Sequence, residues 1–192
     1  VVTWTYDDGN GNTSTQTQTV MVDDVTAPVP SVASLSSVSG ECSATVTVPT
    51  ATDNCSGTIT GTTNDPLSYS AQGTYVVTWT YDDGNGNTST QTQTVIVDDV
   101  TAPVPSVASL SNMTGECSAA VSAPTATDNC SGTITGTTND PLSYSAQGTY
   151  VVTWTYDDGN GNTSTQTQTV IVDDVTAPVP SVASLSNMTG EC

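Results

Sequence analysis

From residue 75 to residue 82 the chain alternates: Tyr75, Val77, Trp79 and Tyr81 interleave with Val76, Thr78, Thr80 and Asp82. A period of two is the signature of a strand with one face on a core and the other toward water. Asp82-Asp83-Gly84-Asn85-Gly86-Asn87 interrupts it with residues that tolerate positive φ, and a turn is expected there. Thr88 to Val97 predicts the return strand, rich in β-branched residues, with Thr88, Thr90, Thr92 and Thr94 on its solvent face. Asp98-Asp99 closes the block just before Thr101-Ala102-Pro103. The same block occupies residues 1–25, with Met21 where Ile96 stands, and residues 151–175.

Trp4, Trp79 and Trp154 recur every 75 residues, and this repeat sets the domain count. Residues 1–75 and 76–150 differ at seven positions: Met21/Ile96, Ser37/Asn112, Val38/Met113, Ser39/Thr114, Thr45/Ala120, Thr47/Ser122 and Val48/Ala123. The expected organisation is the end of one repeat (1–24), two whole repeats (25–99 and 100–174) and the start of another (175–192), an excerpt from a longer array. Within a repeat, Pro103 and Pro105 predict a stiff, extended opening segment suited to an edge. Residues 106–115 follow as an edge strand and loop. Cys117, Ala119, Val121 and Ala123 share one face of an expected core strand that Pro124 ends. Turns are expected at residues 127–132 and 139–141, with a short strand at 133–138 between them. No helical periodicity is present. Short strands with turn signals every 8–12 residues give the fold class: all-β, tandem small immunoglobulin-like β-sandwiches, with one disulfide each.

Charge changes the picture more than composition does. There are 19 Asp plus Glu and no Lys, Arg or His, for a formal net charge of −19. No side-chain salt bridge can form, nothing can neutralise phosphate, and nucleic acid is excluded as a partner. Insertion into or adhesion to an anionic membrane is disfavoured for the same reason. Either the charge serves solubility and mutual repulsion, or divalent cations supply the missing positive charge.

A 75-residue unit buries a modest core and needs a staple. Cys42 and Cys55 share their 13-residue spacing with Cys117 and Cys130, which fits one disulfide per repeat. Closing so short a loop is worth about 3 kcal/mol. Cys192 is the counterpart of Cys117. Two cysteines and no histidine per repeat cannot fill a tetrahedral zinc site. Disulfides place the protein in an oxidising compartment, extracellular or at the cell surface.

The candidate chemistry is calcium binding. Ca²⁺ takes six to eight oxygens from carboxylates, amides and carbonyls on a flexible frame. Each repeat offers three acidic groups. The linkers give Asp23, Asp24, Asp98, Asp99, Asp173 and Asp174. The cysteine turns give Asp53, Asn54, Asp128 and Asn129. The long hairpin turns give Asp82, Asp83, Asn85, Asp157, Asp158 and Asn160. In a sandwich, the linker and the loops of one pole can converge. The competing reading is that Asp, Asn and Gly only build turns and cap backbone amides. Ligands without Cys or His favour Ca²⁺ over transition metals. Ser and Thr are plentiful, but no His or Lys stands ready as a base, which argues against an enzyme.

Thr-Ala-Pro after Asp-Asp, Ala126-Thr127-Asp128-Asn129-Cys130, Gly148-Thr149-Tyr150-Val151-Val152 and Asp158-Gly159-Asn160-Gly161-Asn162 together resemble the hyalin repeat (HYR) and HYR-like domains. These are immunoglobulin-like modules found in tandem in extracellular proteins. Arrays this uniform are similar to those of large surface proteins of marine or Bacteroidetes-type bacteria. The chain departs from the pattern in lacking basic residues and a second cysteine near the last strand. The resemblance implies adhesion or spacing rather than catalysis. The expected function is an extended, Ca²⁺-stiffened extracellular stalk or fibre. The alternatives are a filament that neighbouring copies assemble, or an adhesin module that binds a glycan or another cell.

Overall fold

The computed structural model describes residues 1–191. Two compact units divide it, Val1–Val97 and Asp98–Cys192. Strands β1 (Val2–Asp7) and β2 (Thr13–Gln18) form an antiparallel hairpin. The first repeat follows with β3 (Val29–Pro30), β4 (Val38–Gly40), β5 (Ala44–Thr45), β6 (Thr50–Asp53), β7 (Gly57–Thr60), β8 (Ser68–Tyr69), β9 (Gly73–Asp82) and β10 (Thr88–Val97). The second repeats it as β11 (Val104–Pro105), β12 (Met113–Gly115), β13 (Ala119–Ala120), β14 (Thr125–Asp128), β15 (Gly132–Thr135), β16 (Ser143–Tyr144), β17 (Gly148–Asp157) and β18 (Thr163–Val172). The all-β, immunoglobulin-like class read from the alternation holds: no helix occurs among the described residues.

In the first repeat β4, β10 and β9 form one sheet, β3, β6 and β7 the other, and β5 with β8 a short third ladder. β9 and β10 pair antiparallel over ten residues, from Asp82↔Thr88 at the turn to Gly73↔Val97 at the far end. At ~3.3 Å per residue the hairpin is roughly 30 Å long. It gives the repeat two poles: a proximal pole at the 82–88 turn and a distal pole where β4 runs parallel to β10 and Gly40 meets Val97. The core lies between the sheets. Val77, Trp79, Tyr81, Val95 and Val97 from the hairpin close on Ala44, Val46, Ala51 and Ile59. Trp79 is 1% exposed, and burying a ring of that size stabilises by roughly 5 kcal/mol before entropy is counted. The second repeat has the same core around Trp154.

The expected inner face of β10 is only half apolar. Ser89, Gln91 and Gln93 precede Val95 and Val97 on it. Gln93 Oε1 accepts from Trp79 Nε1 at 3.3 Å, and Gln93 Nε2 donates to Ser36 O at 3.0 Å. Gln91 does the same between Tyr81 Oη and Val32 O, and Ser89 Oγ donates to Pro28 O. This ladder pins residues 28–36 along the edge of the core. Polar residues can sit there because each amide spends both ends on a partner.

The strand expected from Cys117 to Ala123 shrinks to β13. Ala119 and Val121 are buried, but Cys117 and Ala123 are exposed. A tight turn lies just upstream: a Cβ on Gly115 would collide with the Ser118 carbonyl oxygen. That turn carries Cys117 on its outside.

Candidate metal centre

The acidic residues of the proximal pole come from three separated stretches. In the second repeat Asp99 lies in the linker, Asp128 ends β14, and Asp158 follows β17. One carboxylate oxygen of each lies within 4.8 Å of the others. All three are buried, at 3%, 9% and 8% exposure.

Each is held by short-range structure. Asp158 Oδ1 accepts from the Asn160 and Asn162 amides at 2.7 and 3.1 Å, and its Oδ2 from Asn162 Nδ2 at 2.7 Å. Such a turn requires φ of +81° at Gly159, which is why glycine stands there. Asp128 Oδ1 accepts from the backbone of Cys130 and Ser131, both at 2.8 Å. Asn160 Nδ2 donates to Asp99 Oδ2 at 3.0 Å, Asn162 Nδ2 to Asp99 O at 2.8 Å, and Ser131 Oγ to Asp158 O at 2.8 Å. Three loops are thereby laced together around the carboxylates. One atom is left over: Asp128 Oδ2 is buried and has no hydrogen-bond partner. An unpaired buried carboxylate oxygen is costly, more so beside two further acids.

The first repeat shows the same lacing. Asn85 Nδ2 donates to Asp24 Oδ2 at 3.1 Å, Asn87 Nδ2 to Asp24 O at 3.0 Å, and Ser56 Oγ to Asp83 O at 2.9 Å. Asp53 Oδ1 accepts from Cys55 and Ser56, and Asp53 Oδ2 is again buried without a partner. Here the close group is Asp24, Asp53 and Cys55. Burial pushes Asp83 and Asp158 toward the neutral form. The Asn87 or Asn162 side chain and three backbone amides outweigh it and hold each carboxyl below its usual range. Burial, and then the charges of Asp24 and Asp53, push the Cys55 thiol up.

Of each of the pairs Asp23-Asp24, Asp82-Asp83, Asp98-Asp99 and Asp157-Asp158, the structure brings in one member. Asp82 and Asp157 stay exposed and accept from Gly84 and Gly159, and Asp23 and Asp98 are exposed in the linkers. Neighbours in an extended chain point to opposite sides. Asn85 and Asn160 act through their NH₂ groups, as donors that fix the linker carboxylate. Asn54 and Asn129 are exposed turn residues, with Asn54 Nδ2 against Cys55 Sγ at 3.5 Å. Asp173 and Asp174 join no close acidic group among the described residues; Asp174 accepts from Thr176 and its amide donates to Gln147. Asp65, which the sequence did not single out, accepts the Thr78 amide at 2.8 Å and so ties the 62–65 loop to β9.

The expected pairings Cys42 with Cys55 and Cys117 with Cys130 do not form. Cys42 and Cys130 are the disulfide-bonded cysteines, while Cys55 and Cys117 carry free thiols. The reason lies inside each repeat. Cys42 follows Gly40 at the distal pole, and the Cys55 turn is bonded to Asp83 at the proximal pole. The two stand most of the hairpin's length apart, far beyond the ~7 Å between Cα atoms that a disulfide spans. Close spacing in sequence concealed this, because β4 to β6 carry the chain from one pole to the other. Cys192 lies outside the described residues.

The profile of the HYR-like domain with 4 cysteines matches residues 23–97 and 98–172. The chain belongs to the HYR-like domain family. Hyalin of Strongylocentrotus purpuratus is 34% identical over 185 residues, covering 86% of this chain and 15% of that protein. Hyalin of Lytechinus variegatus is 36% identical over 200 residues, covering 93% of this chain and 38% of that protein. The chain thus spans well under half the length of either hyalin. Among solved structures, the fibronectin(III)-like modules of Clostridium thermocellum CbhA align over 76% of this chain and 94% of theirs, at 12% identity and a TM-score of 0.28. Each HYR-like repeat here carries two cysteines rather than four. No helix among the described residues is long and apolar enough to cross a membrane.

Proposed function

We propose that these HYR-like repeats form a structural segment of an extracellular protein, a stalk or fibre that spaces or adheres rather than catalyses, and that Ca²⁺ at the proximal pole stiffens it. The observation that carries this reading is Asp128 Oδ2, a buried carboxylate oxygen without a partner, in a group with Asp99 and Asp158. The chain has no Lys, Arg or His to answer it. A hard divalent cation supplies the missing charge and draws oxygen ligands. Because the ligands come from three stretches, one ion ties the linker to both loops. Disulfide-bonded Cys42 and Cys130 suit an oxidising exterior.

Thermal unfolding and small-angle scattering of the 192-residue chain, in CaCl₂ and in EDTA, test the reading. Chelation is expected to lower the melting temperature and the radius of gyration, and Asp53→Asn with Asp128→Asn to abolish the difference. Identical melting and identical radius in both buffers would reject the calcium model.

A further inference from the structure

In the second repeat residues 99–111 form a strap that runs from the acidic group along the edge of the core. It starts at Asp99, 3% exposed, in a group with Asp158 and with Asp128, whose buried Oδ2 has no partner on a side chain 9% exposed. Three side chains that alternate along β18 hold its length. Ser164 Oγ donates to Pro103 O, Gln166 Nε2 to Val107 O at 2.9 Å, and Gln168 Nε2 to Ser111 O at 3.0 Å. The other end of each amide is engaged in the core: Gln166 Oε1 accepts from Tyr156 Oη at 3.0 Å, and Gln168 Oε1 from Trp154 Nε1 at 3.2 Å. The strap has little sheet of its own. Val104 and Pro105 pair with β14, Ser106 N donates to Thr125 O at 3.0 Å, and Leu110 packs on the core. A segment with so few ladder bonds lifts as one piece more easily than the hairpin beneath it. In the first repeat Ser89, Gln91 and Gln93 hold Pro28, Val32 and Ser36 in the same way.

We propose that strap docking and cation binding are one coupled equilibrium, in which Ser164, Gln166 and Gln168 are positioning residues that set the Ca²⁺ affinity of the proximal pole without touching the ion. This rests on the cation reading given above. Gln168 lies about 17 Å along β18 from Thr163 at the turn, at ~3.3 Å per residue, so it acts through the strap. Asp99 reaches the group as the first residue of that strap. While the strap is docked, Asp99 stands at fixed range of Asp128 and Asp158, and the serine and glutamines bear the cost of ordering residues 99–111. Once it lifts, the ion must order the linker itself, and its apparent affinity falls with the fraction of chains still docked. Linkage makes the effect reciprocal: an ion that draws Asp99 in holds the strap down by the same factor. Charge acts in the same direction. Without a cation, Asp128 and Asp158 repel Asp99 and so work to lift the strap.

The 192-residue chain is tested with each change made in both repeats, because residues 25–36 and 100–111 have the same sequence. Calorimetry follows titration with CaCl₂, and hydrogen exchange of those two stretches is measured in Ca²⁺ and in EDTA. In the unaltered chain Ca²⁺ is expected to slow exchange there. Ser89→Ala with Ser164→Ala, and separately Gln91→Ala with Gln166→Ala, are expected to weaken Ca²⁺ about fivefold or more, the usual size of a coupling between sites. Ser89→Thr with Ser164→Thr keeps the hydroxyl and should restore the affinity. Thr92→Ala with Thr167→Ala, on the exposed face of the same strands, should leave it unchanged. Near-ultraviolet circular dichroism in EDTA verifies each fold, and either pair that folds decides the matter. Unchanged Ca²⁺ affinity in the serine or glutamine pair, with strap exchange accelerated, overturns this inference alone. So does an equal loss in the threonine pair. Failure of the unaltered chain to bind Ca²⁺ overturns the cation reading itself.

Discussion

The hairpins β1–β2 and β9–β10 share the twenty residues 1–20 and 76–95, yet Trp4 is 52% exposed and Trp79 is 1% exposed. Register, turn and local hydrogen bonds are the same in both. Trp4 faces Gln16 as Trp79 faces Gln91, and each indole donates to the glutamine two positions further along. Asp8, like Asp83, accepts the amides of its own turn. The differences begin where a second stretch of chain is needed. In the first repeat residues 28–69 cover Trp79 and take the far ends of Gln91 and Gln93. Among the described residues no stretch covers Trp4 in that way. Asn10 Nδ2 turns back on Asp8 O, whereas Asn85 Nδ2 reaches Asp24. A hairpin is thus a local object, and both the core and the acidic cluster are assembled properties.

This contrast can be broken most sharply at the indole. Trp79→Ala should cost about 3–5 kcal/mol, because it opens a cavity between two sheets. Trp4→Ala should cost less than about 1 kcal/mol, as surface changes do. Urea midpoints followed by circular dichroism measure both, and equal losses would refute the assignment of burial. A smaller effect is expected at the inner ladder. Gln93→Ala leaves the Trp79 N–H and the Ser36 carbonyl without partners and should cost about 1–3 kcal/mol. The same change at Gln18, which is exposed, should be close to neutral.

The subtlest difference is one of pH. Burial raises the Tyr81 and Tyr156 phenols above the ordinary value of 10.0. The folded state therefore favours the neutral ring. That contribution is whole below pH 10.0 and is lost as the pH rises through the folded-state value. Phenolate absorbance of the native chain should lag behind that of the unfolded chain on alkaline titration. Replacing Tyr81 and Tyr156 by Phe should remove part of the lag, the rest coming from Tyr69 and Tyr144, whose phenols burial also raises.

Much of the fold could be read directly, and the close acidic group in part. Alternation placed Val77, Trp79 and Tyr81 on the core face, and Asp-Gly-Asn placed the turn, since both signals act within a few residues. Asp53, Asp83, Asp128 and Asp158 could be named as candidates but not separated from Asp82 and Asp157. Which of two adjacent acids turns inward depends on the last residue of a strand, and patterning is weakest there. Gln91 and Gln93 were hidden because an inward glutamine shows up in sequence as a polar position. Cysteine spacing misled, since a 13-residue separation along the chain spans the repeat from pole to pole.

Local rules alone settle that this chain makes ten-residue hairpins with acidic Gly/Asn turns, repeated every 75 residues, and that no cation of its own opposes 19 acids. These features depend on neighbours along the backbone and on composition, which every copy of the block shares. Packing alone decides that Trp79 is buried while Trp4 is not, that Asp99, Asp128 and Asp158 meet, and that Cys42 and Cys55 stay apart. Each of those outcomes requires stretches 30 to 60 residues apart in the chain to close on one another, and identical sequences reach different ends according to what closes on them.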